Sequence, residues 1–204
     1  MPFPLVHRKA MTGIILSGGK SLRMGKDKAF IKVKGIPIIE RITALFQKLF
    51  KETIIVTNHR EVYLYLKVTL HEDLIPNAGA LGGLYTGLFY STFPYSFVVA
   101  CDMPYLRTEV IHHLIEKIKG YDVVVPRTED GLEPLHALYS KRCVEPIRSV
   151  LAEKKTRIID LYPLVRVRVI EAEEILPVDP GMESFININT PEELIRFRKR
   201  NMTA

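Results

Sequence analysis

The chain has 204 residues, of which 47% are hydrophobic and 25% are charged, and its formal net charge is +6. This size suits one domain with a real core and is marginal for two, and no run of about 18 apolar residues predicts a transmembrane span. Two cysteines are too few for a disulfide framework and favour a reducing, cytoplasmic setting. We therefore predict a single cytoplasmic domain over residues 1–204, with residues 1–10 as a disordered leader that lacks the apolar stretch of a secretory signal.

Strands and helices alternate in the first 125 residues. The predicted strands are short apolar runs at residues 12–17, 53–57, 95–101 and 123–125. The predicted helices cover residues 37–50, 81–90 and 109–119, whereas residues 62–66 are ambiguous. This order implies right-handed βαβ crossovers, and hence a three-layer, Rossmann-like α/β fold with a mostly parallel central sheet and helices on both faces.

The pattern is looser after residue 126. It predicts a strand in a local excursion at residues 135–139, a helix at 144–151, an edge strand at 164–170 and a further strand at 185–188. His136 is expected on a half-exposed strand. The last helix is predicted to open at residues 190–193, because a proline fits the first helical turn and two glutamates suit its positive end.

A glycine-rich, basic loop follows the first predicted strand, in the segment 16–28. Its three glycines would let the backbone approach a ligand, while Arg23 and Lys28 could neutralise a triphosphate. The loop stands where open α/β sheets bind ligands, although it has neither the P-loop nor the dinucleotide-binding spacing. Six basic residues and one acid lie between Lys20 and Lys34. We therefore favour phosphate binding over a solvated turn, and over nucleic-acid binding because the basic residues form no long run.

Two acidic residues could also contact a nucleotide. Asp102 follows the strand 95–101 at the same edge of the sheet, where one or two carboxylates with substrate phosphates could hold Mg²⁺. Alone, an Asp this close to a proline is equally typical of a turn cap, but beside a phosphate loop the metal interpretation is favoured. Asp73 could hydrogen-bond ribose hydroxyls, and the glycines from Gly79 to Gly83 permit either close ligand approach or tight helix packing.

Four segments, in this order, resemble the molybdenum cofactor guanylyltransferase (MobA) family of nucleotidyltransferases. Residues 16–28 match the family's opening element, L-x-G-G-x-S-x-R-M-G-x-D-K, and residues 79–84 match its Gly-rich element. Residues 101–104 match C-D-x-P, and residues 187–194 match N-x-N-T-P-E-E-L. Ala80 and Gly82 depart from the family's usual proline and alanine. The resemblance implies a nucleotidyltransferase fold and transfer of GMP from GTP to the phosphate of molybdopterin, giving a guanine dinucleotide cofactor and pyrophosphate.

The resemblance also implies the residues of the site and its partners. Lys28, Arg23 and Asp102 would be catalytic, and Asp102 would bind Mg²⁺. The nucleotide-binding set would be Leu16, Gly18, Gly19, Arg23, Gly25, Lys28, Asn58, Asp73, Gly79 and Asp102. The residues that would contact the acceptor, molybdenum-bound molybdopterin, are Arg157, Asn187 and Asn189. Molybdoenzyme apoproteins and other cofactor-assembly proteins are further candidate partners, whereas nucleic acid and membranes are not expected.

Two alternatives remain open at this point. A relative of the same fold could use CTP or a sugar-phosphate acceptor, and a protein of another class could bind nucleotides or nucleic acid without catalysis. The second alternative fits less well, because Lys28 and Asp102 are both present. No Ser–His–Asp or Cys–His arrangement is evident, which agrees with an acceptor phosphate that is already a dianion and needs no strong general base.

Overall fold

Runs of Val, Ile and Leu form the strands, because branched side chains pack well on a pleated surface. The structure is a computed structural model that describes residues 10–18 and 28–190 together with residues 192, 193 and 195. Its strands are β1 (Thr12–Leu16), β2 (Lys32–Val33), β3 (Ile36–Pro37), β4 (Glu52–Val56), β5 (Thr69–His71), β6 (Tyr95–Ala100), β7 (Val123–Thr128), β8 (Gly131–Leu132), β9 (His136–Ser140) and β10 (Val167–Ile170). Its α-helices are α1 (Ile38–Leu49), α2 (Gly79–Tyr90), α3 (Thr108–Glu116), α4 (Val144–Ala152) and the short α5 (Ala172–Ile175).

The central sheet has the strand order β10-β7-β9-β6-β1-β4-β5, with β8 paired to β7. Strand β1 runs parallel to both of its neighbours, β4 and β6, while β4 is parallel to β5 and β7 to β10. Strand β9 runs antiparallel to β6 and β7 on either side of it. The mostly parallel sheet is therefore confirmed, and the carboxyl ends of β1, β4, β5 and β6 meet at one edge.

Helices cover both faces of this sheet. Successive residues of a strand point to opposite faces, so Ile15 joins the core formed with α1 and α3, whereas Ile14 joins the core formed with α2 and α4. A Cβ added at Gly87 would lie 2.6 Å from Ile14 Cγ2, and this glycine therefore lets α2 approach β1 closely. The three-layer arrangement is confirmed.

Strand β9 differs from the prediction of a local excursion at residues 135–139. It is inserted in the interior of the sheet, where Leu138 pairs with Phe97 on one side and Val124 on the other. All five of its residues are buried, including His136, which the sequence pattern puts on a half-exposed strand. The insertion depends on pairing between distant segments, and no local period signals it.

The strand predicted at residues 185–188 is wrong. Glu183–Phe185 form a 3₁₀ turn, and the segment that follows joins no sheet among the described residues. Ile188 instead donates its backbone N–H to the Asp102 carbonyl at 2.8 Å. Burial of Phe185 and Ile188 in the core accounts for the apolar pattern that suggests a strand.

The other predicted elements agree with the structure within a few residues. The edge strand is confirmed as β10, and helix α3 ends at Glu116. The ambiguous segment 62–66 falls in two 3₁₀ turns, Arg60–Val62 and Leu64–Leu66, with Tyr63 between them. The proposed leader at residues 1–10 and most of the last helix lie outside the described residues, although 192, 193 and 195 are helical. Cys101 and Cys143 form no disulfide, and no described helix is long and apolar enough to cross a bilayer.

Candidate nucleotide site

Asp102 stands at the carboxyl edge of the sheet, two residues after β6. The β1–β6 ladder continues past the strands, because the Cys101 N–H donates to the Leu16 carbonyl at 3.1 Å. The side chain of Asp102 is 18% exposed, so it is recessed at the edge where the loop after β1 also begins. This position agrees with the sequence-based expectation that a carboxylate faces the ligand crevice.

A cationic and polar cluster surrounds that carboxylate. The Lys28 Nζ lies 3.9 Å from Asp102 Oδ2 and donates to Asn189 Oδ1 at 2.5 Å. Residues separated by 161 positions are thus brought to one point. Lys28 opens a short 3₁₀ turn after the glycine-rich loop, and Asn189 follows the backbone contact that Ile188 makes with Asp102. The cluster therefore unites three predicted residues: Lys28, Asp102 and Asn189.

The electrostatics of Asp102 favour a bound cation. Burial raises the pKa of this carboxyl above its ordinary value of 3.8, and the charge of Lys28 partly opposes that rise while Glu193 adds to it. Its Oδ1 atom is buried and accepts no hydrogen bond from the described residues. A desolvated carboxylate oxygen without a donor is costly, and a cation would relieve the cost.

Glu193 completes the cluster from the far side and is a residue whose role the sequence pattern does not reveal. It accepts the Asn189 N–H at 2.7 Å through Oε2, and its own N–H donates to Thr190 Oγ1 at 3.1 Å. These bonds fix the backbone that carries Asn189. The pattern predicts Glu193 only as a favourable charge at a helix start, because its bond to Asn189 depends on the turn geometry.

A second polar pair, Asn58 and Asp73, lies at the carboxyl ends of β4 and β5. The two residues are joined twice: Asn58 Nδ2 donates to Asp73 Oδ2 at 2.9 Å, and the Asp73 N–H donates to Asn58 Oδ1 at 3.0 Å. Burial raises the pKa of Asp73, and the bond from Asn58 opposes that rise. The pair presents an amide and a carboxylate of fixed orientation, which suits recognition of hydroxyl and amino groups.

Leu16 lies between the two clusters. A Cβ added at Gly83 would lie 3.5 Å from the Leu16 side chain and 3.7 Å from Asp73 Oδ1, so Gly83 packs beneath both residues. Gly18, two residues later, is exposed, and a Cβ added there would have none of the described residues within 4 Å. Gly19, Arg23 and Gly25, which the sequence also predicts in this loop, lie outside the described residues.

The contacts of the remaining predicted residues are with residues other than Lys28, Asp102 and Asn189. Asn187 is exposed, and its side-chain amide approaches the Phe185 carbonyl at 3.5 Å. Arg157 is 73% exposed and forms an ion pair with Asp160 at 2.8 Å. Gly79, with a φ of +61°, begins α2 next to Thr156, so Arg157 belongs to the same neighbourhood as the glycine-rich start of α2.

The parallel sheet, the loop after its first strand and the recessed carboxylate with a lysine beside it define an α/β protein whose site suits a nucleotide and a cation. Comparisons with known proteins give the same class. The molybdenum cofactor guanylyltransferase of Desulfosudis oleivorans is 41% identical over 187 residues, which cover 91% of this chain and 93% of that protein. The molybdopterin-guanine dinucleotide biosynthesis protein A of Archaeoglobus fulgidus superposes with a TM-score of 0.79 at 26% identity, covering 95% and 100% of the two chains.

A more distant likeness supports the fold alone. The 4-diphosphocytidyl-2C-methyl-D-erythritol synthase of Anaerococcus prevotii has a TM-score of 0.70 at 15% identity and covers 98% of both chains. The profile of the MobA-like NTP transferase domain matches residues 13–166. The chain belongs to this family of nucleotidyltransferases.

Proposed function

We propose that the protein is a molybdenum cofactor guanylyltransferase, which moves GMP from GTP to the phosphate of molybdopterin and releases pyrophosphate. The observation that carries the proposal is the cluster in which Lys28, the recessed Asp102 and Asn189 meet at the carboxyl edge of the sheet. Family membership and the guanylyltransferase from Desulfosudis oleivorans support the choice of reaction.

The nucleotide lies along this edge, between the two polar clusters. Lys28 neutralises charge on the triphosphate, and the backbone at Leu16 and Gly18 approaches it, together with the predicted contacts of Gly19, Arg23 and Gly25. The Asn58–Asp73 pair contacts the guanosine, and Gly79 lets the nucleotide approach the start of α2 closely. These contacts hold the two ends of the nucleotide about the α-phosphorus.

Asp102 is the residue that would bind magnesium. Its buried Oδ1 lacks a donor among the described residues, and those residues contain no group of three or more acidic, His or Cys side chains that could hold a metal alone. This fits Mg²⁺, which usually takes one or two carboxylates and completes its octahedron with phosphate oxygens and water. When bound, the ion supplies positive charge that polarises the α-phosphate and offsets charge on the departing pyrophosphate.

The protein's own contribution to the reaction is electrostatic and geometric. The acceptor is a phosphate monoester and largely a dianion near neutral pH, so its oxygen attacks the α-phosphorus without a general base. Lys28 reduces the repulsion between the two anions and stabilises the leaving pyrophosphate. We place the acceptor beside Asn187 and Asn189, with Arg157 as a further contact, so that attacking oxygen, phosphorus and leaving oxygen can align.

The experiment that tests this function is pyrophosphate release from GTP and from CTP, each with Mg²⁺ and molybdenum-bound molybdopterin. We expect release with GTP, and a molybdopterin-dependent product that contains guanine. Release with CTP alone would retain the mechanism and overturn the guanylyl assignment. No release from either nucleotide would reject molybdopterin as the acceptor.

A further inference from the structure

An arginine outside the nucleotide site connects the two segments that form the Lys28–Asp102–Asn189 cluster. Arg107 ends the loop that follows Asp102 and directly precedes α3. Its backbone N–H donates to Ser184 Oγ at 3.0 Å, and its Nη2 donates to Glu183 Oε2 at 2.9 Å. Ser184 and Glu183 form the 3₁₀ turn that leads into the asparagine segment 187–189.

A buried carboxylate anchors the same contact. Asp179 is fully buried, its Oδ1 lies 3.2 Å from Arg107 Nε as an ion pair, and its Oδ2 accepts the Ser184 N–H at 2.9 Å. The contact at Oδ1 is an ion pair without a hydrogen bond, since this buried atom has no hydrogen-bond partner among the described residues. The hydrogen bonds around Arg107 are therefore those to Glu183 and Ser184, while Asp179 adds its charge and its own bond to Ser184. The Arg107 clamp consists of Arg107, Asp179, Glu183 and Ser184.

The clamp acts on the backbone that positions the catalytic cluster. The loop 103–107 and the turn 183–185 are held side by side, and just beyond them the Ile188 N–H donates to the Asp102 carbonyl at 2.8 Å. Asn189, which accepts from Lys28, is the next residue. The separation between the Asp102 carboxylate and the Asn189 amide therefore depends on contacts made around Arg107.

We propose that Arg107 is a positioning residue: through Asp179, Glu183 and Ser184 it holds the segment 187–189 against the Asp102 loop, and so sets the geometry in which Asp102 and the Lys28–Asn189 pair receive the substrate phosphates. The inference rests on the proposed function for its kinetic effect. Its structural part concerns the Ile188–Asp102 hydrogen bond and is testable without substrate.

The chain offers a matched control in a second arginine–carboxylate pair. Arg166 donates to Asp122 through Nε at 3.0 Å and Nη2 at 3.2 Å, and the side chains are 58% and 12% exposed. In the Arg107–Asp179 pair they are 40% and 0% exposed. The control pair joins the residues that precede β7 and β10, at the amino edge of the sheet, opposite the edge that carries Asp102.

The test compares Arg107→Met with Arg166→Met in the full chain. Amide hydrogen exchange at Ile188, followed by NMR without substrate, measures the Asp102 contact, and steady-state kinetics with GTP and molybdopterin measure kcat and KM. We expect Arg107→Met to speed Ile188 exchange by about tenfold or more. We also expect it to lower kcat by about 10- to 100-fold, since small misplacements of reacting groups have effects of this size. Arg166→Met should leave the Ile188 exchange rate and kcat near their wild-type values, even where it lowers the thermal midpoint as much as Arg107→Met does.

Two results would overturn the proposal: wild-type Ile188 exchange and kcat in Arg107→Met, or equal changes in both variants. Should Arg107→Met fail to fold, Ser184→Ala removes the acceptor of the Arg107 N–H, and the same readouts should move in the same direction. A wild-type protein that transfers nothing to molybdopterin would reject the proposed function, whereas unchanged Ile188 exchange in both Arg107→Met and Ser184→Ala would reject the clamp.

Discussion

At the scale of single residues, Asp102 combines a proposed catalytic role with a cost to folding. Burial raises its pKa, so the folded state favours the protonated form and ionisation at neutral pH opposes folding. In metal-free buffer at pH 7 we expect Asp102→Asn to raise the thermal midpoint, by about 2–4 °C for each kcal/mol gained at this chain length. Differential scanning calorimetry provides the measurement.

The pH dependence of that gain follows from the direction of the shift. As pH falls through the raised pKa toward the ordinary value of 3.8, Asp102 takes up a proton in the folded state before it does in the unfolded state. The gain in thermal midpoint from Asp102→Asn should therefore shrink as pH falls. It should vanish at a pH where Asp102 is protonated in both the folded and the unfolded states. A lower midpoint for the variant at pH 7 would mean that the Lys28 ion pair outweighs desolvation.

Lys28 permits a second prediction at this scale. Its ammonium contacts both Asp102 and Asn189, so Lys28→Ala should weaken GTP binding and lower the transfer rate together. Lys32→Ala, at an exposed position in the same basic stretch, serves as the control and should change neither. Calorimetric titration with GTP, together with rate measurements, separates the two effects; a change confined to thermal stability would make Lys28 structural.

At the scale of elements, helix α2 is tied to the Asn58–Asp73 pair through a buried threonine. Thr86 Oγ1 donates to the Gly82 carbonyl at 2.9 Å and accepts the Leu74 N–H at 3.0 Å, directly after Asp73. Thr86→Val removes that acceptor at nearly constant volume. We expect a loss of about 1–3 kcal/mol in the free energy of unfolding, the cost of a buried unsatisfied donor.

Helix α1 provides the matched control for this substitution. Thr43 is also buried and helical, but its hydroxyl has no hydrogen-bond partner among the described residues. Thr43→Val should therefore be neutral or slightly stabilising. Urea unfolding of both variants measures the difference, and equal losses would show that the bond to Leu74 contributes little.

The elements also show how far the sequence pattern reaches. Strands β1, β4 and β6 and helices α1, α2 and α3 are predictable because each depends on apolar periodicity within its own segment. The position of β9 inside the sheet is not predictable in this way, because it depends on pairing with β6 and β7, which lie elsewhere in the chain. The segment 185–188 looks like a strand, yet Phe185 and Ile188 are apolar because they complete the core beneath the site.

The site divides in a similar way. Lys28 and Asp102 are predicted from the basic loop and the strand end as well as from resemblance to a family, whereas Asn189 is predicted from the resemblance alone. The meeting of the three residues at one point follows from the fold. The Arg107–Asp179 pair has no counterpart in any motif, because residues 72 positions apart carry no local signal of contact. The roles of Arg157 and Asn187 stay predictions, since neither side chain joins the cluster in the described residues.

At the scale of the whole molecule, His136 links acid stability to the core of the sheet. It is fully buried, its ring lies 4.6 Å from that of Phe185 and 5.3 Å from that of Phe97, and burial lowers its pKa to about 3. The pKa of this histidine has its ordinary value of 6.5 in the unfolded chain and is about 3 in the folded chain. At a pH between these two values, the unfolded chain therefore binds a proton at His136 that the folded chain does not. Stability should therefore fall as pH falls through this window.

The variant His136→Phe tests that link, because a phenyl ring fits among the neighbouring aromatic rings and cannot titrate. Relative to this variant, wild-type stability should decline below pH 6.5 by up to about 1.4 kcal/mol per pH unit. Chemical denaturation between pH 7 and pH 4 gives both slopes, and carboxylates contribute equally to each. Parallel slopes would contradict a neutral buried His136.

Asp102 is the proposed centre of guanylyl transfer. The most direct measurement is single-turnover transfer from labelled GTP to molybdenum-bound molybdopterin, with saturating Mg²⁺, by wild type and by Asp102→Asn. We predict a folded variant that still binds GTP but transfers at least about 100-fold more slowly, because it loses a charge that acts in the transition state. Transfer at the wild-type rate by Asp102→Asn would contradict the account and move the reaction away from the Lys28–Asp102–Asn189 cluster.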